Sequence, residues 1–493
     1  IKLVLSGLQE SNYPISYIEI TSISKQYMRL LWKDEYNENT NIYPKNFVGP
    51  SSYTLQTLNI APINENTLIP NIRKNYTVTD KADGIRKLLY IAITGKIYLI
   101  DQNMNVQFTG AVTKKANLFN TLIDGEHIIH NKEHKFINLY AACDIYYFKG
   151  KDIRTFGFIK TNLEDLSDNF RLPILSRVIK ELDPKGITKN NGGVLPIRIE
   201  CKTFYSDNSS RSIFQCCAQI LQKAKAGLFE YETDGLIFTP SNSGVGTDKI
   251  GETTKPIKIT WTSSFKWKPP EFNTIDFLIT TKKTQAGVDY IGNIFQNGTD
   301  VGTSTQLTQY KTLILRVGYD ESVHGYINPF QSMLNDDIPK GGNQDNEEGY
   351  RPVQFYPTNP VDDKAGICNI LLRDDASGEK AMFTEEGQVI EDNTIVEFRY
   401  VLDGEEQWQW KPLRVRYDKT AEFRAGGRNF GNAYHVANSN WHSIHNPITT
   451  NMLTTEEGIP NELADDDIYY NAVSGSSRTR GLRDFHNLYV KKK

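Results

Sequence analysis

The sequence predicts an α+β protein in which a domain of antiparallel sheets covered by helices precedes a smaller domain built as a β-barrel. Short segments rich in β-branched and aromatic residues, separated by polar turns, follow one another between residues 76 and 148. Helical spacing of apolar residues appears at residues 173–182 and 210–226. Short strands then resume between residues 276 and 420 after a shift in composition, which favours a second domain.

Composition excludes several classes of protein. A chain of 493 residues suffices for roughly two to four domains. Its formal charge of −3 argues against a histone-like nucleic-acid binder, although a local basic cleft fits within that balance. Five cysteines without a Cys-x-x-Cys pair favour reduced thiols and an intracellular site, and argue against zinc. Without an apolar run of membrane-spanning length, we expect a soluble protein with no membrane partner.

The patterns divide the chain into four segments. Residues 1–45 mix strand and helix patterns without residues suited to site chemistry, which is typical of a connector. Residues 46–275 hold the sheets and helices, residues 276–425 the predicted barrel, and residues 426–493 a C-terminal helical segment and linker. The start at Ile1 and the lysine-rich end suggest a piece of a longer polypeptide.

The segment Tyr76–Ile91 contains a candidate nucleophile, Lys81. A strand-like run ends at Lys81 and Asp83-Gly84 turns the chain, so the lysine is predicted on a short loop between two strands. An amine with an unperturbed pKa of about 10.4 attacks at neutral pH only if burial or cations such as Arg86 lower that pKa. An activated lysine attacks a carbonyl or an α-phosphate. The alternative is a solvated lysine on a surface turn.

Two acidic segments follow at strand edges. Asp124 and Glu126 flank a glycine, and Asp234 precedes Gly235. Either segment alone is more typical of a hairpin turn. Together with Lys81, these carboxylates would hold a ribose hydroxyl and a divalent cation against a triphosphate.

Two basic segments complete the pattern. Lys266 and Lys268 alternate, so in a strand both would face one side, where an anion such as a phosphate relieves their repulsion. Asp276 is close enough along the chain to steady one of them. Arg414 and Arg416 alternate in the same way. For each segment taken singly, a solvated basic face is an equally good interpretation.

The order of these elements resembles the nucleotidyltransferase motifs of enzymes that form a covalent lysyl-NMP intermediate. The similarity covers roughly residues 45 to 450. The final motif, Trp410 to Lys419, resembles that of mRNA capping guanylyltransferases rather than DNA ligases. Further segments resemble the multifunctional capping enzymes of large nucleocytoplasmic DNA viruses of the poxvirus, asfarvirus and mimivirus type: Phe47–Ser51, Tyr76–Gly84, Phe265–Phe277 and Trp441–Pro447.

The resemblance implies an ATP-grasp-like ligase/capping fold for residues 46–275 and an OB-fold barrel for residues 276–425. Gly481–Asn487 resembles the lead-in to a cap guanine-N7 methyltransferase module. Residues 426–493 would then lead toward that module, and residues 1–45 would be the remnant of an upstream RNA triphosphatase domain. The implied setting is the host cytoplasm or the virion.

The resemblance also implies a reaction. Lys81 would attack the α-phosphate of GTP with Mg²⁺ or Mn²⁺ bound, and the resulting lysyl-N-GMP would pass GMP to the 5′-diphosphate end of RNA as GpppN. The implied substrate-binding residues are Arg86, Glu126, Tyr140, Lys202, Lys266, Lys268, Arg414, Arg416 and Lys419. The implied metal ligands are Glu126 and Asp234, with support from Asp83, Gly84, Asp276 and Asp418.

One position departs from the family pattern, and two other functions stay open. An aromatic residue usually precedes Asp144 and stacks on guanine, but this chain has Cys143, which leaves Tyr140 or Tyr146 as substitutes. An ATP-dependent polynucleotide ligase shares the lysine chemistry, but usually has Glu-Gly at the Asp234 position. A non-catalytic RNA-binding scaffold of the same fold has no reason to keep every charged motif residue.

Overall fold

The computed structural model describes residues 2–9, 11–63, 69–160, 169–187, 195–207, 210–296, 306–320, 349–358, 360–375 and 377–461. The Gly481–Asn487 segment lies outside these residues. The chain divides into two compact units. The first contains residues 1–268 together with residues 449–462, and the second contains residues 269–448.

Helices occur in both units, and the first unit also contains two large sheets. The α-helices of the described residues are α1 Lys2–Leu8, α2 Tyr17–Trp32, α3 Arg171–Glu181, α4 Ile213–Lys225, α5 Tyr417–Arg424, α6 Tyr434–His445 and α7 Thr450–Thr455. The strands of the first unit are β1 Ser51–Thr54, β2 Tyr76–Ala82, β3 Ile85–Ile91, β4 Lys96–Asp101, β5 Val106–Val112, β6 Thr121–His130, β7 Phe136–Phe148, β8 Lys151–Asp152, β9 Lys185–Gly186, β10 Arg198–Cys201, β11 Tyr205–Ser206, β12 Thr233–Pro240 and β13 Thr260–Trp267.

The two sheets of the first unit share the turn between β2 and β3. A five-stranded sheet has the order β1-β13-β12-β2-β11, and an eight-stranded sheet has the order β10-β7-β6-β3-β4-β5-β9, with β8 beside β7. Leu88 and Tyr90 of β3 pack in a core cluster with α2, whereas Leu89 and Ile91 pack in a cluster with α3. Since successive side chains of a strand point to opposite faces, a sheet covered on both faces explains the continuous apolar run in β3.

The described residues of the 1–45 segment group with the first unit, and their interpretation as a connector stays a prediction. Tyr27 of α2 is fully buried. Its hydroxyl donates to the carbonyl of Asn46 at 2.8 Å and accepts from the backbone N–H of Val48 at 3.0 Å. The mixed apolar pattern of α2 therefore reflects a helix that packs on a sheet.

The second unit is rich in strands. Its strands are β14 Thr274–Thr281, β15 Ile291–Gln296, β16 Gln306–Asp320, β17 Tyr350–Gln354, β18 Ile367–Leu371, β19 Arg373–Asp374, β20 Lys380–Phe383, β21 Val389–Ile390, β22 Thr394–Tyr400 and β23 Trp410–Val415. The main sheet has the order β15-β16-β14-β22-β23, and β17 and β18 also pair with β16. Phe277, Trp410 and Trp441 lie in its core, so both tryptophans pack inside the unit.

The predicted fold class is confirmed. A unit of helices and mainly antiparallel sheets, with parallel pairs only at β1–β13 and β10–β7 among the described strands, precedes a strand-rich unit. The limits of the units differ from the expected segments, because the first unit ends at Lys268 rather than at residue 275. In addition, α5 and α6 belong to the second unit, whereas α7 returns to the first. No helix among the described residues is long and apolar enough to span a bilayer.

Candidate functional site

Lys81 is the penultimate residue of β2, in the interior of the five-stranded sheet. It therefore lies on a strand rather than on the predicted loop, and the turn at Asp83 and Gly84 follows it. β12 pairs with the residues on either side of Lys81, Asp80 and Ala82, while β11 pairs with the earlier part of β2 at Thr77 and Val78. The side chain is 23% exposed, which is enough to meet a ligand.

A bulge in β12 places Asp234 beside this lysine. Thr233 pairs with Ala82 and Leu236 pairs with Asp80, so two residues of β12 stand opposite Lys81 alone. The second of the two, Gly235, has a φ of +145°. A Cβ at Gly235 would lie 1.9 Å from the carbonyl oxygen of Trp267. Only glycine therefore permits this bulge and the close approach of β13.

Asp234 binds two lysines at once. The Nζ atom of Lys81 lies 2.6 Å from Oδ1, and the Nζ atom of Lys268 lies 2.8 Å from Oδ2. Burial disfavours the charged form of Asp234, but Lys81 and Lys268 outweigh burial and lower its pKa. Lys266 lies two residues earlier in β13, opposite Ile237 of β12, as the predicted alternation requires. The site thus gathers basic side chains around a single carboxylate.

Glu126 supplies a second carboxylate of a different kind. It pairs in register with Arg86 across β6 and β3, so the two side chains share a face of the eight-stranded sheet. Its carboxylate forms no hydrogen bond or ion pair with the residues that the structure describes. Burial raises the pKa of Glu126 to about 7, against the opposing effect of Arg86, Lys81 and Lys202. Glu126 therefore changes charge near neutral pH.

Arg86 is held before any ligand arrives. Its Nε and Nη2 atoms lie 3.0 Å and 2.6 Å from the two carboxylate oxygens of Asp124, and Nη1 donates to the carbonyl of Pro50 at 2.7 Å. The hydroxyl of Tyr146 donates to Asp124 at 2.6 Å. A Cβ at Gly49 would lie 3.0 Å from Nη2 of Arg86. Sequence analysis placed Asp124 among the carboxylates near a ribose hydroxyl and a cation, and did not predict that it binds Arg86.

Lys202 lies in a buried ion pair beside the nucleophile. Its Nζ atom is 2.8 Å from Oδ2 of Asp80, the residue before Lys81, and it also donates to the Asp80 carbonyl at 2.6 Å. The two side chains are 6% and 5% exposed. Tyr231 donates a further hydrogen bond to Asp80 at 3.1 Å. Asp80 is thus a second partner that sequence analysis missed, although its place beside Lys81 was a usable signal.

Tyr140 and Tyr146, which were proposed to stack on guanine, are both buried, and this corrects that proposal. Tyr140 is fully buried in the core of the eight-stranded sheet, and its hydroxyl lies 2.9 Å from each of the carbonyl oxygens of Lys87 and Ile123, which share its single proton. Tyr146 is 2% exposed. Since neither ring is open to a ligand, neither stacks on a base in this structure. The strand alternation that buries them was present in the sequence.

Asp144 also has a structural partner. Its carboxylate lies 2.9 Å from Nε of Arg171, a fully buried residue at the start of α3. A second guanidinium nitrogen of Arg171 donates to the carbonyl of Ser243 at 3.2 Å. The Asp144–Arg171 ion pair therefore joins β7 to α3.

A second basic cluster lies in the second unit. Asp276 binds Arg416 and Lys419, each at 2.6 Å. The expectation that Asp276 steadies Lys266 or Lys268 stays a prediction. Asp418 adds a weaker contact to Arg416 at 3.2 Å. Asp276 thus brings together two cations of the final motif that are separated by a helix start.

Arg414 completes this cluster from the end of β23. Its Nε atom lies 2.7 Å from Glu397, which stands opposite it in β22. Thr274 donates to the other oxygen of Glu397 at 2.6 Å. Burial opposes ionisation of Glu397, but Thr274 and Arg414 outweigh it and lower the pKa of Glu397. The arginine is half exposed, so it is free to meet an anion.

Glu126 and Asp234, the two carboxylates expected to bind a divalent cation, differ in whether their oxygens already have partners. Glu126 fits, because its oxygens have no competing partner in the described residues. Asp234 does not fit while Lys81 and Lys268 occupy both of its oxygens. Within the described ranges, no group of three or more His, Cys, Asp or Glu side chains is arranged to hold a metal.

Comparisons with known proteins match this chain to mRNA capping enzymes. Residues 62–270 match the family model for the mRNA capping enzyme catalytic domain. A probable mRNA-capping enzyme of Acanthamoeba polyphaga mimivirus is 27% identical over 91% of this chain and 36% of its own length. An mRNA-capping enzyme of African swine fever virus is 25% identical over 77% of this chain and 35% of its own length.

Two further matches are more distant. The mRNA-capping enzyme of Caenorhabditis elegans is 29% identical over 46% of this chain and 34% of its own length. A solved mycobacterial DNA ligase D complexed with ATP and MES covers 74% of this chain and 94% of its own at 12% identity, with a TM-score of 0.28, and we draw no inference from it.

The family match spans the segment that contains Lys81, Glu126, Asp234 and the Lys266/Lys268 pair. The chain spans about a third of the length of the viral relatives named above. Residues 62–270 are similar to the catalytic domain of the mRNA capping enzyme family, and the chain is similar to viral mRNA-capping enzymes over most of its length.

Proposed function

We propose that this protein is an mRNA guanylyltransferase. In the first step, Nζ of Lys81 forms a bond with the α-phosphorus of GTP, and the bond to the bridging oxygen of the leaving pyrophosphate breaks. Pyrophosphate leaves with the electron pair. Nζ, an ammonium in its ion pair, gives up one proton to become the attacking amine and a second as the N–P bond forms. Oδ1 of Asp234 lies 2.6 Å from Nζ and is the nearest acceptor named in the site.

The shared carboxylate of Asp234 is the observation that carries this proposal. Two ammonium groups held on one carboxylate mark a place where an anion is stabilised. An incoming α-phosphate competes with Asp234 for Lys268, and this exchange leaves Lys81 next to the reacting phosphorus. Lys266 would add a second cation on the same side.

The remaining residues have positioning roles in this proposal. Arg86, fixed by Asp124, and the unpaired Glu126 would bind the ribose. Glu126 would also hold Mg²⁺ or Mn²⁺, and the metal would neutralise phosphate charge when bound. Lys202 would act through Asp80, by fixing β2 next to the nucleophile.

In the second step, the 5′-diphosphate end of an RNA attacks the lysyl-N-GMP, forms the new phosphate bridge and restores the amine of Lys81. Arg414, Arg416 and Lys419 belong to the second unit, so this unit would have to close for them to orient the leaving pyrophosphate in the first step. Opening would then admit RNA.

The test is covalent labelling. The protein is incubated with α-labelled GTP and Mg²⁺ or Mn²⁺, and label that survives a denaturing gel is measured. Lys81→Ala is expected to abolish the label, whereas Lys74→Ala, an exposed lysine seven residues earlier, is the matched control. Transfer of the label to 5′-diphosphate RNA completes the test. Labelling by ATP alone would favour a polynucleotide ligase, and no labelling would favour an RNA-binding scaffold.

We also propose that the chain works within a larger capping enzyme with triphosphatase and methyltransferase modules, in the host cytoplasm or the virion. The greater length of the viral relatives supports this proposal. An antibody against this chain should then detect a native species larger than 56.2 kDa.

A further inference from the structure

The end of the described chain returns to the first unit. α7 follows the second unit in sequence, yet it groups with residues 1–268 and packs on α4. Leu453 of α7 is fully buried. Among the described residues, the second unit is therefore an insertion into the first, with chain crossings at residues 268/269 and 448/449.

An ion pair fastens this returning segment. Nη1 of Arg73 lies 2.6 Å from Oε2 of Glu456, the residue that ends α7. Nε of Arg73 donates to the carbonyl of Ile60 at 2.7 Å, and its guanidinium lies 4.5 Å from the ring centre of Phe214 in α4. We call Arg73, Phe214, Leu453 and Glu456 the latch.

The backbone at Glu456 has an uncommon conformation. Its φ of +62° is a left-handed conformation that residues other than glycine adopt infrequently. This conformation ends the helix. On the other side, Arg73 follows the fully buried Ile72, whose N–H donates to the carbonyl of Asn59 at 2.9 Å. Both partners of the ion pair therefore sit on fixed backbone.

We propose that the latch acts as a strap: it ties α7 to the first unit and so restrains the movement of the second unit during catalysis. The inference rests on the proposed function, because that function requires Arg416 and Lys419 to reach the nucleotide. An insertion held at two points samples a smaller volume than a domain held at one point, so its cations return to the nucleotide more often. If α7 detached from the first unit, the crossing at residues 268/269 would be the remaining fixed attachment next to the second unit.

Charge reversal tests the strap. Glu456→Arg places two cations together, and the double variant Arg73→Glu with Glu456→Arg restores attraction with the charges exchanged. Glu457→Arg makes the same charge change one residue later, where no ion pair occurs among the described residues. Because both side chains of the pair are partly exposed, we expect about two- to fivefold faster amide hydrogen exchange across residues 449–461 in Glu456→Arg.

Activity should follow the exchange result. Single-turnover formation of the GMP adduct at saturating GTP should slow by a similar two- to fivefold factor in Glu456→Arg, recover in the double variant and stay unchanged in Glu457→Arg. Unchanged exchange in Glu456→Arg, or faster exchange with an unchanged adduct rate, would overturn the strap.

A readout without nucleotide separates this inference from the proposed function. Energy transfer between one dye on each unit measures the spread of distances between them. A broader distribution in Glu456→Arg supports the strap, and an unchanged distribution overturns it. If GTP never labels Lys81, the guanylyltransferase proposal fails, while the distance measurement still decides whether the latch restrains the second unit.

Discussion

Lys81 and Lys268 bind opposite oxygens of the same carboxylate, that of Asp234, at 2.6 Å and 2.8 Å. The strand that carries Asp234 lies between the strand that carries Lys81 and the strand that leads to Lys268. One acidic residue in the middle therefore sets the spacing of two cations from its two neighbours. A phosphate group offers the same charge and can take over one of these contacts.

Asp234→Asn should leave the two lysines without a common counterion. We expect the GMP-adduct rate to fall at least about tenfold, because the lysines repel each other when the shared charge is lost. Single-turnover labelling with α-labelled GTP measures this rate. Asp248→Asn, an exposed aspartate, is the control. A rate within twofold of the wild type would contradict the role given to Asp234.

The same variant should change how stability depends on pH. Burial opposes ionisation of Asp234, but Lys81 and Lys268 prevail and lower its pKa. The carboxylate therefore stabilises the fold above its unfolded-state pKa of about 3.9, and this contribution disappears as the pH falls through the lower folded-state pKa. The difference in melting temperature between wild type and Asp234→Asn should be present at pH 7 and shrink below about pH 4.

Gly235→Ala should damage the site through the backbone. A φ of +145° is essentially restricted to glycine, and the new Cβ would meet the Trp267 carbonyl at 1.9 Å. We expect a loss of about 1–3 kcal/mol in stability from the strain, together with loss of labelling, as Asp234 and Lys268 move apart. Gly251→Ala is the control, because Gly251 also has a positive φ but has nothing within 4 Å of the added Cβ. Equal effects of the two substitutions would refute the close-approach argument.

Glu126→Gln should stabilise the metal-free protein while it abolishes activity. Burial raises the pKa of Glu126 to about 7, so the folded state holds a proton that the unfolded state releases near pH 4.3. The stability linked to that proton is complete below pH 4.3 and is lost as the pH rises through 7. Thermal melts at pH 5 and pH 8, without nucleotide and with a chelator, should show that Glu126→Gln gains more stability over the wild type at pH 8 than at pH 5. An equal gain at both pH values would contradict this account.

Asp276 should couple to Lys419 and not to Lys268. Double-mutant cycles of Asp276→Asn with Lys419→Gln and with Lys268→Gln compare the two pairs, with hydrogen-exchange free energies of β14 and α5 as the measurement. Residues in contact typically give coupling energies of about 0.5–3 kcal/mol, whereas separate sites add within about 0.5 kcal/mol. We expect coupling with Lys419, which lies 2.6 Å from Asp276. Coupling with Lys268 instead would support the sequence-based expectation.

Local patterns predicted the parts of the site that depend on neighbouring residues. The glycine beside Asp234 and the alternation of Lys266 and Lys268 are relationships between residues one or two positions apart. They can therefore be recognised in the sequence without knowledge of the fold. Lys81 was identified, although its strand continues one residue further than expected.

Long-range contacts could not be predicted in this way. Asp276 and Arg416 are 140 residues apart, and Arg73 and Glu456 are 383 residues apart. Periodicity reports which face of an element is apolar, but not which distant charge will face it. The same limit applies to α2: its apolar face has meaning only once the sheet it covers exists.

The bulge in β12 gives the site a requirement on chain length as well as on residue type. Deleting either residue of the Asp234-Gly235 pair would return β12 to a regular one-to-one alignment with β2. Leu236 would stay opposite Asp80 and Thr233 opposite Ala82, but a single residue would then face Lys81, and the placement of the Asp234 carboxylate beside its Nζ atom would be lost. A functional chain therefore requires both the glycine and the extra residue at this bulge.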